Sequence, residues 1–265
     1  MIYFHLKQYR NLKHFYINHI QVYGKEYFPH TVSYFILRTK YKYNRFVELQ
    51  QKAVLPMAVF LKMCCLGKCT GISFIDSTSI QVCHTCALCE AWSIKRERSN
   101  KTFKSLATKG KTTIGWFFGF KLHIVINDKG EILDFVISQA YTDDRQPLKD
   151  KSFHKRVFGK LFGDKGYISN DLFEKLFIDG IHLITRIKKN TCTAYKVRGM
   201  KNSLMLMNDK IYLRKRALIE TVNDQLKNIC QIEHTRHRCF PNFIGNTCTT
   251  YACAAQSASE VRVWF

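Results

Sequence analysis

Acidic side chains are scarce in this chain: 20 Asp and Glu stand against 42 Lys and Arg in 265 residues, leaving a formal charge of +22 with histidine neutral. That shortage excludes an acidic disordered tail. The low hydropathy of a disordered polypeptide is missing too, since 46% of the chain is hydrophobic and 14% aromatic, enough to bury a core. No apolar run is clean enough to span a membrane. The stretch from Phe240 to Ser259 carries no charge, but its Asn, Thr, Gln and Ser would leave polar groups in hydrocarbon. The opening MIYFHLKQYR has no long apolar segment behind its basic residues and no small-residue cleavage site, so the sequence predicts a cytoplasmic protein without a secretory signal. There is no internal repeat and no long low-complexity tract, and the length suits one globular domain with at most a small appendage.

What is abundant is positive charge, with a pI near 9.6. Each phosphate neutralised by Lys or Arg releases condensed counterions, so the first expectation is a nucleic-acid partner. A basic ribosomal or membrane-surface protein would share the charge. Eleven cysteines, an odd number without an export signal, point to reduced thiols rather than a disulfide framework. Cys83, Cys86 and Cys89, with His84 beside them, have metal-ligand spacing, yet a structural zinc or iron–sulfur site needs a fourth ligand and no second CxxC supplies it. Reduced structural or surface thiols are the expected reading, and a zinc-dependent module is the alternative.

Residues 1–68 are aromatic-rich and basic, with Leu49, Val54, Leu55, Val59, Phe60 and Met63 at helical spacing. From Gly71 the pattern turns to strands: GISFID, then IGWFFGFKLHIVI and EILDFVIS, the last two joined by the turn residues NDKG into a hairpin. A basic loop carrying Lys95, Arg96, Arg98, Lys101, Lys104, Lys109 and Lys111 lies between the first run and the hairpin. A helix is expected from Pro147 to about Phe158, then the strand KLFGD, a helix from about Asn170 to Ile178, and the strand HLIT. A loop with Lys188, Lys189 and Asn190 leads to IYLRKRALIETVNDQLKNI, a helix without Gly or Pro. This order predicts an α/β fold in which helices cover a mixed sheet.

Three acids occupy positions a fold could bring together: Asp76 at a strand end, Asp164 just past KLFGD, and Glu220 on the late helix. Strand ends of α/β sheets collect functional sites. Carboxylates bridging two divalent ions about 3.5 to 4 Å apart can both activate a water and stabilise a leaving oxygen, and hard oxygen donors suit magnesium or manganese. Singly, each acid also reads as a turn cap or a solvated side chain. On a helical wheel Leu218, Ile229, Val222 and Leu226 form an apolar stripe, while Asn223, Arg216, Lys227 and Glu220 fall opposite it. A salt-bridged surface face would have the same pattern.

FIDST around Asp76, LFGDKGY around Asp164 and LRKRALIETVNDQLK around Glu220 resemble the DDE insertion-sequence transposases, specifically the group numbered nine-eight-two. The resemblance runs from about Phe4 to Phe243. It implies an RNase H-like catalytic domain at 69–243, preceded by a small, partial helical segment at 1–68 and followed by an atypical tail at 244–265. It further implies that Asp76, Asp164 and Glu220 are catalytic and hold two Mg2+ (or Mn2+) ions. Arg216, Glu220 and Lys227 keep the Arg, Glu and Lys spacing of related last catalytic helices, although Leu213 fills the tyrosine slot and Tyr212 is one residue away. Arg216, Lys227 and Asn223, together with Lys109 and Lys111, are the implied DNA contacts. His123, in GFKLH with Lys121, either reaches DNA or a ligand or is a packed, hydrogen-bonded histidine. Asp143 and Asp144 read as a turn and salt-bridge feature, with Asp144 a reserve candidate for the site. The implied partners are double-stranded DNA and further copies of the chain, in a bacterial cytoplasm and on the nucleoid. Missing N-terminal helices and the unlike tail suggest a truncated or decayed element, so the alternative is a catalytically impaired DNA-binding remnant.

Overall fold

The computed structural model describes residues 2–7, 9, 11–27, 41–84, 103, 106–112, 115–185, 205–233 and 240–260, with side chains described except at 41–47, 83, 84 and 256–260. The chain divides into two compact units, Met1–Cys65 with Lys101–Phe103 and Asp224–Phe265, and Leu66–Asn100 with Lys104–Asn223. No helix among the described residues is long and apolar enough to cross a membrane.

In the second unit the β-branched and aromatic runs form six strands: β1 (Ile72–His84), β2 (Thr108–Lys111), β3 (Trp116–Asn127), β4 (Ile132–Gln139), β5 (Gly159–Gly163) and β6 (Ile181–Thr185). The turn between β3 and β4 is set by Asn127, whose Oδ1 accepts from the backbone N–H of Lys129 at 3.0 Å and of Glu131 at 2.9 Å. β3 is buried almost throughout, because it pairs antiparallel with β1 on one edge and with β4 and then β2 on the other. On the far side of β1, β5 and β6 continue the sheet in parallel. Four strands joined by antiparallel pairing, followed by two parallel ones and flanked by helices, make the mixed sheet of an RNase H-like α/β fold.

Side-chain alternation gives the sheet two apolar faces. Ile75, Val125, Leu133 and Leu161 pack with Phe153 and Val157 and with Leu172 and Leu176 of helix Asn170–Ile178. Phe74 and Phe162 meet at 5.7 Å, and Tyr212 of helix Met207–Lys215 stacks on Phe162 at 5.5 Å. Each such side chain, wholly buried, contributes about 1.5 to 3 kcal/mol. The first unit is helical, with Phe15, Tyr16 and Ile20 as a small cluster. There the buried His5 joins the Cys230 carbonyl through Nδ1 and the Thr249 hydroxyl through Nε2, each at 3.0 Å.

Several expectations are corrected. The helix expected from Pro147 to about Phe158 is broken into Pro147–Lys149 and Lys151–His154, because Asp150 is extended and its carboxylate caps the Ser152 N–H at 2.9 Å. The basic loop contains strand β2. The tail expected from 244 onward is given no secondary structure by its sequence pattern, and its residues 244–260 continue helix Phe240–Glu260. Thr247, Thr249 and Thr250 return their hydroxyls to carbonyls three or four residues back, which satisfies polar side chains in a buried helix. The late helix Ala217–Asp224 passes into a wider π turn at Gln225–Ile229, so the wheel slips there and Ile229 is exposed, while Ile219, ahead of the turn, is buried with Val222 and Leu226.

Candidate active site

β1 and β5 are adjacent parallel strands whose register pairs Phe74 with Phe162. Two residues further on come Asp76 and Asp164, so one register places both acids side by side on the face that Phe74 and Phe162 share. Asp164 stands just past the carboxyl end of β5, but Asp76, expected at a strand end, lies within β1, which runs on to His84 as it pairs with β3. Gly163 permits this approach, since a Cβ there would sit 3.2 Å from both Ile75 and Tyr167. The late helix supplies the third acid. Met207–Lys215 and Ala217–Asp224 meet at Arg216, and Glu220 follows one turn on, its carboxylate accepting from the Arg216 guanidinium at 3.5 Å.

One guanidinium reaches all three acids. Arg216 stands 4.0 Å from Asp76 Oδ1, 4.0 Å from Asp164 Oδ1 and 3.5 Å from Glu220 Oε1. Asp76 is the enclosed member of the trio, with 23% of its side chain exposed against 53% for Asp164 and 62% for Glu220. Burial pushes the Asp76 carboxyl up to about 6; the Ser77 backbone N–H and the Arg216 charge oppose that rise, and the charges of Asp164 and Glu220 add to it. Its second oxygen accepts from Asn223 Nδ2 at 3.2 Å.

Asn223 thus keeps the place beside Arg216 that the wheel gave it, but not the exposure. It is buried rather than on the exposed face, and its Oδ1 is enclosed without a hydrogen-bond partner. The seven-residue separation from Arg216, two helical turns along one stripe, is what puts both side chains on Asp76.

The opposite face of β1 carries a second polar group that motif reading did not assemble. Ser77 donates to Asp144 Oδ1 at 2.9 Å, and Lys121 Nζ donates to the same oxygen at 3.0 Å and to the Thr142 carbonyl at 2.8 Å. Strand alternation would have placed Ser77, Lys121 and His123 together. His123 is fully buried, its Nε2 joined to the Ser138 hydroxyl at 2.8 Å, and burial pushes it down to about 4, so it is neutral near pH 7. Asp143 is paired with Arg145, whose hydrogen bonds hold it at about 2. Tyr212, beside the tyrosine slot, stacks on Phe162, and Leu213 is buried.

Among the remaining expected contacts, Lys109 and Lys111 are exposed on β2, with Lys111 Nζ 5.6 Å above the Trp116 ring. Lys227 belongs to the first unit and pairs with Glu233 at 2.9 Å. Cys86, Cys89, Lys95, Arg96, Arg98, Lys101, Lys104, Lys188 and Lys189 lie outside the described residues, as do the side chains of Cys83 and His84. Among the described residues, no three His, Cys, Asp or Glu side chains stand close enough to hold a metal ion.

A mixed sheet of this order, with one acid within the central strand β1, a second just past the end of its parallel neighbour β5 and a third on the late helix, is that of an RNase H-like domain. The family described as Transposase DDE domain matches residues 66–240, and the chain belongs to that family. Its role is accordingly that of a transposase in DNA transposition. No curated protein and no solved structure matches the chain significantly.

Proposed function

We propose that the chain cleaves DNA at the ends of an insertion sequence and joins the freed 3′ hydroxyl to target DNA, with Asp76, Asp164 and Glu220 as catalytic residues. The observation that carries this reading is the convergence of three acids, distant in sequence, on the single Arg216 guanidinium. Their carboxylate oxygens are the hard donors that Mg2+ or Mn2+ prefers, and the enclosed, unpartnered Asn223 Oδ1 is a further oxygen beside them. The residues thus fit a pair of divalent ions by chemistry, with Asp76 and Asp164 as the shared ligands and Glu220 completing the set. When bound, such ions would lower the pKa of an attacking water or hydroxyl and neutralise charge on the cleaved phosphate.

The chain's own residues do the rest. Asn223 orients Asp76, whose half-buried carboxylate must be ionised to act. Arg216, Lys109, Lys111 and Lys227 would bind phosphates of double-stranded DNA and fix its register without reading sequence. Assignment to group nine-eight-two and assembly of two or more copies on paired ends belong to the same proposal. The second reading, an impaired DNA-binding remnant, is favoured by one observation: the acids surround a guanidinium and are not gathered within ligating distance of one another.

Nicking of supercoiled DNA by the purified chain separates the two. Mg2+-dependent nicking that falls at least about a hundredfold in Asp164→Asn is the expected result. Equal activity in both proteins, or none in either, contradicts catalysis by these acids.

A further inference from the structure

Arg216 is placed where a cation of the site would be. Its guanidinium meets Asp76 and Asp164 at 4.0 Å and Glu220 at 3.5 Å, and only about a fifth of its side chain is exposed. Asp76 is held from two sides by one helical stripe, by Arg216 at Oδ1 and by Asn223 at Oδ2. A divalent ion drawn to the same three carboxylates would meet a like charge a few ångströms away, so guanidinium and metal compete for one position. A guanidinium also forms forked hydrogen bonds with phosphate, for which its planar donors are suited. The duplex backbone is therefore a second destination for the same side chain.

We propose that Arg216 is an internal counterion that keeps divalent metal out of the acid cluster until a DNA phosphate draws it away, so that metal and DNA bind cooperatively. This rests on the reading of Asp76, Asp164 and Glu220 as the metal ligands. It adds regulation to that site: the DNA-free chain holds its acids around a fixed cation and presents no loaded nuclease to chance substrates. Asn223 keeps its hold on Asp76 throughout, so one oxygen of that carboxylate stays oriented while the other changes partner. By linkage, whatever factor DNA contributes to metal affinity, metal contributes equally to DNA affinity.

The test measures Mn2+ binding directly, by loss of the free-ion electron paramagnetic resonance signal, using the full chain without DNA and then with an unrelated duplex at low salt. Duplex alone is subtracted. Arg216→Gln should bind Mn2+ at least about tenfold more tightly than wild type without DNA, and adding Asp164→Asn should abolish that gain. Wild type should tighten on adding duplex, and Arg216→Gln should not. If Arg216→Gln fails to fold, the duplex-induced tightening of wild type and its loss in Asp164→Asn decide the matter. Equal, Asp164-dependent Mn2+ affinity in wild type and Arg216→Gln, unmoved by duplex, overturns the counterion role and leaves the ligand assignment standing. Mn2+ binding indifferent to Asp164→Asn in every protein overturns the ligand assignment and the counterion role together.

Discussion

Asp76 and His123 lie on neighbouring strands and titrate in opposite senses. Burial raises the Asp76 carboxyl from 3.8 to about 6, so across that window the folded chain keeps a proton the unfolded chain has released. Its contribution to stability therefore falls as pH rises through the window, by about 3 kcal/mol in all. His123, lowered from 6.5 to about 4, acts the other way: the unfolded chain takes up a proton that the buried ring refuses, so stability rises with pH over much the same range. The two offset each other in the wild type, and a single variant is needed to expose either. Asp76→Asn removes the carboxylate while leaving His123 in place. In metal-free buffer its stability relative to wild type should improve by about 3 kcal/mol between about pH 4 and pH 7. Urea unfolding of both proteins across that range measures it, and a pH-independent difference would show that Asp76 ionises normally.

The alignment of Asp76 with Asp164 depends on how β1 and β5 begin. At their start Gly159 has φ +80, and a Cβ on it would come within 2.4 Å of the Gly71 carbonyl oxygen, while the Lys160 N–H donates to that same oxygen at 2.8 Å. Gly180 shares the φ of +80 but would meet nothing within 4 Å. Gly159→Ala should therefore cost about 2 to 4 kcal/mol, the sum of left-handed strain and backbone collision, and Gly180→Ala about 1 to 2 kcal/mol from strain alone. Chemical denaturation compares them, and equal costs would mean that the two strands tolerate separation there. Strands β3 to β6 and the start of β1 were legible in the sequence, because β-branched and aromatic runs bounded by NDKG and by Gly163 leave little freedom of assignment, whereas β2 and the second half of β1, residues 77–84, are too polar to show a strand pattern. So was helix Asn170–Ile178. The pairing that brings the two aspartates into one register was not, since a parallel contact between distant strands leaves no local signal. Ile229 was misplaced because a single period was carried through a π turn, and the burial of Asn223, which precedes that turn, was missed because the buried stripe is centred on Leu226 and Ile219 rather than on Leu218. The polar tail hid its helix because Thr247, Thr249 and Thr250 satisfy themselves by local hydrogen bonds that no hydropathy pattern records.

On the scale of the whole chain, a charge of +22 favours any polyanion and chooses none. What distinguishes this protein from other basic proteins is that its few acids include three that converge in the unit carrying the RNase H-like sheet, while its family membership ties that sheet to DNA transposition. Long-range charge would bring DNA to the surface, and the trio would decide what happens to it there. If the trio is one catalytic centre, its members cannot be removed independently, because losing any one leaves the others without a reaction to support. The most direct measurement is metal-dependent nicking by Asp76→Asn, Asp164→Asn, Glu220→Gln and the triple variant, each first shown to unfold cooperatively. The account predicts that every single variant drops to one common floor and that the triple variant lies no lower. Independent, cumulative losses, or a Glu220→Gln protein that nicks like the wild type, would contradict it.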